Sequence, residues 1–241
     1  MKKLTIFALC AALLAVVSCG GNSNQNDNTK NAPAAAAKSS ADAVDLGVVI
    51  TREDGTTYNL YWAKSNLSQS GLCANPEDYG DYYAWGETVL KNDYTWYAYK
   101  YGAYPNLIKY NTKDNSGTVD NRTVLDPEDD VAHVILGGKW RMPTIAEWEA
   151  LIKQCSFTWA TRNGVEGQLA TGPNGNSIFL PAAGWREHER LYYAGTTGEY
   201  WSSSLHPNYQ NYACGSIFSS GNVQLDMSAR SYGLSVRPVS E

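Results

Sequence analysis

The sequence predicts an α+β domain with mainly antiparallel strands. Apolar and polar residues alternate over 44–50 and 58–62, which is the period of half-buried strands. The pairs Asn163-Gly164 and Asn174-Gly175 are typical of the tight turns that join antiparallel strands. The segment 144–155 has the helical period instead. A lone helix among many short strands indicates an antiparallel-rich core against which the helix packs.

The first two strands are expected to form one hairpin. Asp54 and Gly55 lie between them, and an Asp-Gly pair readily adopts the positive φ angles of a tight turn. The alternating positions that should face the core are Val44, Leu46, Val48, Ile50, Tyr58, Leu60 and Trp62.

The region 79–110 is rich in Tyr and Trp and has no sustained period. Gly, Pro and Asn interrupt it repeatedly, which favours loops over regular elements. We therefore expect an ordered, loop-rich insertion held by aromatic packing. Tyr97, Tyr99 and Tyr101 alternate within it, so this segment is expected to present one exposed edge.

The helix 144–155 has a clear start signal. Thr144 is a good N-cap residue, and Glu147 three positions later completes a capping box. Its apolar stripe consists of Trp148, Leu151, Ile152 and Cys155, so Cys155 is interpreted as a small buried residue.

Short strands are expected after the helix, centred on 178–180, 223–225 and 234–236. The charged run 186–190 resembles a catalytic cluster at first sight. Alternating charges in so short a run are more typical of a solvent-exposed loop, which is the interpretation adopted.

The N-terminus predicts export and lipidation. Lys2 and Lys3 precede an apolar run, 4–17, that is too short for a stable membrane span. The run ends in Val-Val-Ser before Cys19, as in a bacterial lipoprotein signal whose Cys becomes acylated. An ordinary secretory signal with a chance cysteine is the alternative. The prediction is a lipoprotein signal peptide over 1–18 and lipidation at Cys19.

The remaining chain divides into a tether and a domain. Residues 19–43 are polar, with no aromatic residue, and cannot bury enough apolar surface to fold. Residues 44–241 are long enough for one domain with a substantial core. The expected location is the outer membrane, with the domain at the cell surface.

Charge and cysteine content exclude several classes of protein. The net charge of −5 and the pI near 5.3 disfavour nucleic acid as a partner and any membrane contact beyond the lipid anchor. Cys73, Cys155 and Cys214 remain in the domain, and their spacing fits no zinc motif. Three cysteines allow at most one disulfide, so this is no disulfide-stabilised scaffold.

An acidic cluster near the middle of the chain is the candidate metal site. Carboxylates in such a group could supply oxygen ligands to Ca²⁺, but the spacing is not that of an EF-hand. The acids are interpreted as a solvated turn that caps a short helix, and no cofactor is predicted. The residues are Asp126, Glu128, Asp129 and Asp130, with His133 nearby.

Several motifs follow one another in an order that resembles a known family. They include Gly137-Gly-Lys-Trp-Arg-Met-Pro-Thr144, Tyr200-Trp-Ser-Ser-Ser204 and Gly233-Leu-Ser-Val-Arg-Pro-Val239. Further ones lie at 78–87, 127–133 and 179–184. Together they resemble the Fibrobacter succinogenes major paralogous domain, a module of bacterial surface lipoproteins, over nearly all of 44–241. That family is similar to the formylglycine-generating-enzyme branch of the C-type-lectin fold. The resemblance implies a compact C-type-lectin-like domain whose C-terminal sheet displays variable side chains.

The segment 205–232 is the candidate ligand-binding surface. Between Ser202 and Tyr232 there is no Lys, Glu, Thr or Trp, whereas Tyr, Ser, Asn and Gly recur, as they do in adaptable binding surfaces. The resemblance also implies target proteins of diversity-generating retroelements, in which adenine-specific mutagenesis alters Asn codons. Gln210, Gln224 and Met227 cannot arise in that way. The positions that fit are His206, Tyr209, Tyr212, Cys214, Ile217, Ser219, Asp226, Ser228, Ser231 and Tyr232.

The expected function is therefore ligand binding, without catalysis. The expected partner is a protein or glycan on another cell, a phage or a host surface. A fixed structural or adhesion lipoprotein, such as a fimbrial component, is the alternative. An enzyme is a weaker alternative, because the cysteine oxidation of the fold's namesake uses a redox cysteine pair with copper, and the C-terminal region has only Cys214.

Overall fold

The computed structural model describes residues 41–241. The predicted signal peptide 1–18, the lipidation site Cys19 and nearly all of the tether 19–43 lie outside the described residues. Within residues 41–241, no helix is both long enough and apolar enough to cross a membrane.

Strands dominate this part of the chain. They are β1 (Ala43–Thr51), β2 (Thr57–Ala63), β3 (Leu67–Ser68), β4 (Gly71–Leu72), β5 (Ser156–Arg162), β6 (Val165–Thr171), β7 (Ser177–Pro181), β8 (Trp185–Glu187), β9 (Arg190–Tyr192), β10 (Gly198–Leu205), β11 (Tyr212–Ser219), β12 (Asn222–Ala229) and β13 (Val239–Ser240). The helices are α1 (Val131–Leu136) and α2 (Ile145–Gln154), with short 3₁₀ turns at Trp96–Ala98, Asp114–Ser116 and Pro127–Asp129.

The strands form small antiparallel sheets instead of one continuous sheet. Three-stranded sheets have the orders β1-β2-β13, β5-β6-β7 and β10-β11-β12, and β3-β4 and β8-β9 are two-stranded. Hairpins form around Gly55, Gly164 and Gly175, each with positive φ, so the turn predictions are confirmed. Mainly antiparallel strands with few helices agree with the predicted class. The C-type-lectin-like assignment stays a prediction.

Helix α2 begins where the capping signal predicted. The Thr144 hydroxyl accepts from the Glu147 amide, and the Glu147 carboxylate accepts from the Thr144 amide. Trp148 and Leu151 are buried in the core, and the Trp148 ring lies 4.8 Å from the Trp62 ring, measured between centroids. Cys155 is the C-cap and is only half-buried, because the chain leaves the helix there to enter β5.

Three expectations differ in detail from the structure. Residues 234–236 do not form a strand: Leu234 and Ser235 make isolated β-bridges to two different segments. The charged run 186–190 belongs to the hairpin β8-β9, whose tip at His188 is exposed. Tyr97 is 98% exposed, whereas Tyr99 and Tyr101 are each 4% exposed, so the alternation does not create a shared edge.

The insertion 79–110 is ordered by aromatic packing, as expected. The Tyr101 and Tyr110 rings meet edge to face at 5.5 Å, and Trp85 meets Tyr110 at 5.1 Å. These rings belong to one hydrophobic cluster with Trp201 of β10. A second cluster joins β1, β2, α2, β7 and the Tyr200 side of β10. Strand β10 therefore lies between the two clusters, and all of its residues are buried.

A buried guanidinium links distant segments of the fold. Arg237 has no exposed surface, and burial lowers its pKa to about 10. Its side chain donates to Asn66 Oδ1 at 2.9 Å, to the Ala63 carbonyl at 3.0 Å and to the Phe179 carbonyl at 2.8 Å. No carboxylate forms a salt bridge with Arg237 among the described residues. Its positive charge is solvated by neutral oxygen atoms alone.

We expect Arg237→Met to lower the free energy of unfolding by at least ~3 kcal/mol. Buried acceptors left without a donor cost roughly 1–3 kcal/mol each, and three would lose theirs. Arg237→Lys should also destabilise, because one ammonium cannot reproduce the fork of the guanidinium. Urea denaturation measures both, with Arg52→Met as the exposed control. Unfolding of Arg237→Met at the wild-type urea concentration would contradict the assignment.

Candidate ligand-binding surface

The sheet β10-β11-β12 carries most of the predicted site residues. The other edge of β10 is covered by bridges from Val124 and Ser235. Strand β11 is central, and β12 is the outer strand, with most of its residues exposed. The predicted surface therefore spans the fully buried strand β10, the largely buried strand β11 and the mostly exposed strand β12.

Strand register divides the predicted residues between two faces. Cys214 lies opposite Met227, and Gly215 lies opposite Asp226. Because successive side chains alternate, neighbouring pairs point to opposite sides of the sheet. The face that carries Cys214 and Met227 also carries Tyr200, whose ring lies 5.9 Å from Trp148 of α2. The opposite face carries Ile217, Ser219, Asp226 and Ser228 of the predicted set.

The face that meets α2 contains an open groove of about 450 Å³. The main-chain N–H of Ile145 donates to Ser204 Oγ at 3.1 Å, which attaches the first turn of α2 to the end of β10. Leu225 and Met227 of β12 are 37% and 36% exposed. The groove is lined by Ile145, His206, Pro207, Cys214, Leu225, Met227 and the intervening residue Asp226, whose side chain alternates to the opposite face.

An aromatic cluster adjoins the groove at His206, one of its lining residues. The His206 and Tyr209 rings stack at 5.1 Å with an interplanar angle of 20°, and Tyr212 meets Tyr209 edge to face at 6.3 Å. His206 Nδ1 accepts from the main-chain N–H groups of Asn208 and Tyr209, at 3.2 and 3.0 Å. Burial lowers the pKa of His206, which favours the neutral ring that these bonds require. Tyr209 is 55% exposed and available for contact.

The opposite face contains a carboxyl group that the sequence did not reveal as a site residue. Glu199 is 7% exposed, and Ser228 Oγ donates to its Oε2 at 2.9 Å. Burial raises the pKa of Glu199 to about 7, and the charge of Asp226 adds to the effect. Glu199 and Asp226 have no salt-bridge partner within residues 41–241. The signal available in the sequence was an acid inside an otherwise uncharged strand.

Two predicted ligand residues are largely inaccessible. Ser231 is 1% exposed, so no ligand reaches it. Cys214 is 8% exposed, and its thiol points to the Leu205 carbonyl at 3.8 Å, so it contributes only to the wall of the groove. Tyr232 is half-buried, and its hydroxyl donates to Glu187 Oε1 at 2.8 Å. Residue type alone selected these positions, and it does not report the direction of a side chain.

A second buried guanidinium fixes the loop that carries Tyr209. Arg230 donates to Tyr99 Oη at 2.9 Å and to the carbonyls of Lys109, Tyr110 and Gln210 at 3.0–3.1 Å. Gln210 is 2% exposed, and its Oε1 accepts from the Thr112 amide at 2.9 Å. Arg230 and Asp226 are the only residues with a formal charge between Ser202 and Tyr232. In the structure Arg230 ties the loop that carries Tyr209 to the aromatic insertion.

The acidic cluster is balanced by lysines, which argues against a calcium site. Carboxylate oxygens of Asp126, Glu128 and Asp129 lie within 4.8 Å of one another. The Lys109 ammonium lies 2.7, 3.8 and 2.5 Å from them, at the centre that a cation would occupy. Asp130 instead caps α1 by accepting from the amides of Ala132 and His133. The helix-capping interpretation is supported, but Asp129 and Asp130 are buried, not solvated.

Comparison with known proteins identifies a similarity without a function. A family model described as a domain of unknown function (DUF8237) matches residues 159–239, from within β5 to the start of β13. The match includes the whole of the sheet β10-β11-β12. No curated protein and no solved structure matches the chain.

We expect Glu199→Gln to stabilise the protein at pH 8 but not at pH 4.5. The folded protein holds the proton more tightly than the unfolded chain, so wild-type stability falls as pH rises from 4.5 to about 7. The full difference corresponds to about 3 kcal/mol. Gln removes the buried charge and keeps an oxygen acceptor for Ser228.

Urea denaturation at both pH values measures this effect. Glu53→Gln, which alters an exposed carboxylate, is the matched control and should change neither value. Equal stability of Glu199→Gln and wild type at pH 8 would show that Glu199 is not held in an unfavourable environment.

Proposed function

We propose that this protein is a lipid-anchored, outer-membrane binding protein that uses the groove beside β11 and β12 to hold a ligand at the cell surface. The observation that carries the proposal is the groove itself. Its volume of about 450 Å³ falls in the usual range for ligand sites, and its lining is apolar with a few polar groups. Stacked aromatic residues at one end supply rigid contact area at little entropic cost.

The location follows from the N-terminal sequence. A basic start, a short apolar run and Cys19 fit a lipoprotein signal, and the polar residues 19–43 suit a tether. An acylated anchor would hold the domain at the membrane. A net charge of −5 favours a protein or glycan partner over nucleic acid.

The proposal includes no catalytic step. The cysteine oxidation associated with the resembled fold needs two thiols in close reach, whereas Cys73, Cys155 and Cys214 are free and lie after β4, at the C-cap of α2 and in β11, respectively. Glu199 could exchange a proton near pH 7, but it lies on the face opposite the groove. The fixed adhesion lipoprotein is the second candidate, because a static groove could serve attachment equally well.

The groove should lose its ligand when its two sides are altered together. We expect Tyr209→Ala with Met227→Arg to weaken binding at least about tenfold, since an aromatic contact is lost and a charge enters an apolar wall. The test uses a lipid-free chain that starts at residue 20, applied to arrays of glycans, phage and bacterial surfaces.

The matched control is Tyr97→Ala with Val89→Arg, which changes the same residue classes at other exposed positions. Melting temperatures should stay near the wild-type value for both pairs. Equal binding by the groove pair and the control pair would exclude the groove as the ligand site.

Diversification of the surface is a further part of the proposal. His206, Tyr209, Asp226 and Ser228 are at least partly exposed, so their replacement should leave the core intact. Buried Gln210 suits a fixed position. Gln224 and Met227 are exposed. Adenine-specific mutagenesis of Asn codons cannot produce Gln or Met, so these two residues favour the alternative of a fixed adhesion protein.

Sequencing of the 3′ end of the gene across many clones tests diversification. We expect substitutions at exposed codons within 205–232, matched to adenines in a nearby template copy. The codons for Arg230 and Gln210 should not vary, because both side chains are buried and hydrogen-bonded. An invariant 3′ end without a template would leave the fixed adhesion protein.

A further inference from the structure

The hairpin β8-β9 presents an organised surface outside the groove. Trp185 pairs with Tyr192, and Glu187 pairs with Arg190, so these side chains share one face of the hairpin. Arg186 lies on the other face, where its guanidinium packs over the Tyr82 ring at 5.1 Å. On the face that carries Trp185 and Tyr192, Trp185 packs partly against the core, whereas Tyr192 and the adjacent Tyr193 lie outside both core clusters.

The rings of three aromatic residues stack with nearly parallel planes beside the face that carries Trp185. The Tyr193 and Trp185 rings are 4.9 Å apart with an interplanar angle of 20°, and Tyr192 lies 6.1 Å from Trp185 at 23°. Tyr193 is 61% exposed, while Trp185 and Tyr192 are half-buried. We call Trp185, Tyr192 and Tyr193 the aromatic ledge.

Polar side chains of both kinds border the aromatic ledge. The Glu187 carboxylate already accepts from the Tyr232 hydroxyl and has a second oxygen for another donor. Arg190 is exposed and has no salt-bridge partner among the described residues. The ledge is thus flanked by a hydrogen-bond acceptor and a hydrogen-bond donor.

Two residues at the hairpin β8-β9 adopt an unfavourable backbone conformation. Tyr193 has φ +55° and His188 has φ +54°, in the left-handed region that Gly or Asn adopts more easily. Both side chains are exposed, so neither is explained by filling the core. Exposed bulky residues at strained positions are candidates for a functional role.

We propose that the aromatic ledge binds a pyranose ring of a glycan. The C–H groups on one face of a pyranose carry partial positive charge and suit the negative face of an aromatic ring. The hydroxyl groups at the ring edge can donate to Glu187 and accept from Arg190. The exposed face of Tyr193 matches a single sugar ring in size, whereas the adjacent carboxylate repels phosphate-bearing ligands.

This site extends the proposed binding function but does not depend on the groove. It is connected to the predicted ligand segment through the hydrogen bond of Tyr232 to Glu187. A glycan on the aromatic ledge and a different ligand in the groove can each be present without the other.

Saturation-transfer NMR with methyl glycosides of glucose, galactose, mannose and N-acetylglucosamine tests the site, using the lipid-free chain that starts at residue 20. At least one glycoside should receive saturation from the wild-type protein, and Tyr193→Gly should abolish the signal. Gly relaxes the left-handed backbone, so the melting temperature should not fall greatly despite the lost stacking. Tyr97→Ala removes an equally accessible tyrosine elsewhere and should keep the full signal.

The groove variant separates this proposal from the proposed function. Tyr209→Ala with Met227→Arg should retain glycoside binding while it loses the groove ligand. If Tyr193→Gly keeps the glycoside signal while the groove pair loses it, the sugar lies in the groove and the ledge proposal is wrong. If no glycoside binds the wild-type protein, or if Tyr193→Gly binds as wild type does, the ledge proposal is likewise overturned, and the groove is unaffected.

Discussion

The fold depends on solvating the buried Arg237 guanidinium with neutral oxygen atoms of the protein. Arg237 donates to Asn66, whose amide in turn donates to the Tyr79 carbonyl and to the Tyr200 hydroxyl. The Tyr200 hydroxyl in turn donates to the Pro181 carbonyl. Since each of these groups would be left unsatisfied if its neighbour moved, the network fixes the aromatic insertion, β7 and β10 relative to one another. The position of β10 then sets the position of the sheet β10-β11-β12.

Arg230 is a second buried guanidinium that donates to neutral oxygens, here at the loop that carries Tyr209. Its donors reach main-chain oxygens from the insertion and from the loop before β11, and its guanidinium lies over the Trp85 ring at 5.0 Å. Because the neighbouring residue Gln210 is held by Arg230, Tyr209 can keep a defined position although it is more than half exposed. Preorganisation of this kind lowers the entropy lost when a ligand binds.

The distribution of charge separates stabilising acids from acids that remain available. Asp129 is neutralised by Lys109 and Lys100, and Glu147 by Arg141. Glu199 has no such partner in the described part of the chain, and burial holds its pKa near 7. Asp129 and Glu147 are thus paired with basic side chains, while the sheet face and the hairpin β8-β9 keep charged groups without a close partner of opposite charge among the residues described. The two faces of the sheet offer different chemistry, one apolar and aromatic, the other acidic.

The sequence by itself determined the local elements. The Asn-Gly and Asp-Gly turns, the alternating strands and the Thr144 capping box depend on neighbours within a few residues, so they could be predicted with nearly correct bounds. The segment 205–232 stands out by its composition and supplies most of the residues that line the groove, but its role in ligand binding stays a prediction. Only the tertiary structure decided which residues of that segment are accessible, as Ser231 and Cys214 show. It also decided that Lys109 takes the place of a cation and that Arg230 and Arg237 are buried, because those contacts join residues far apart in the chain.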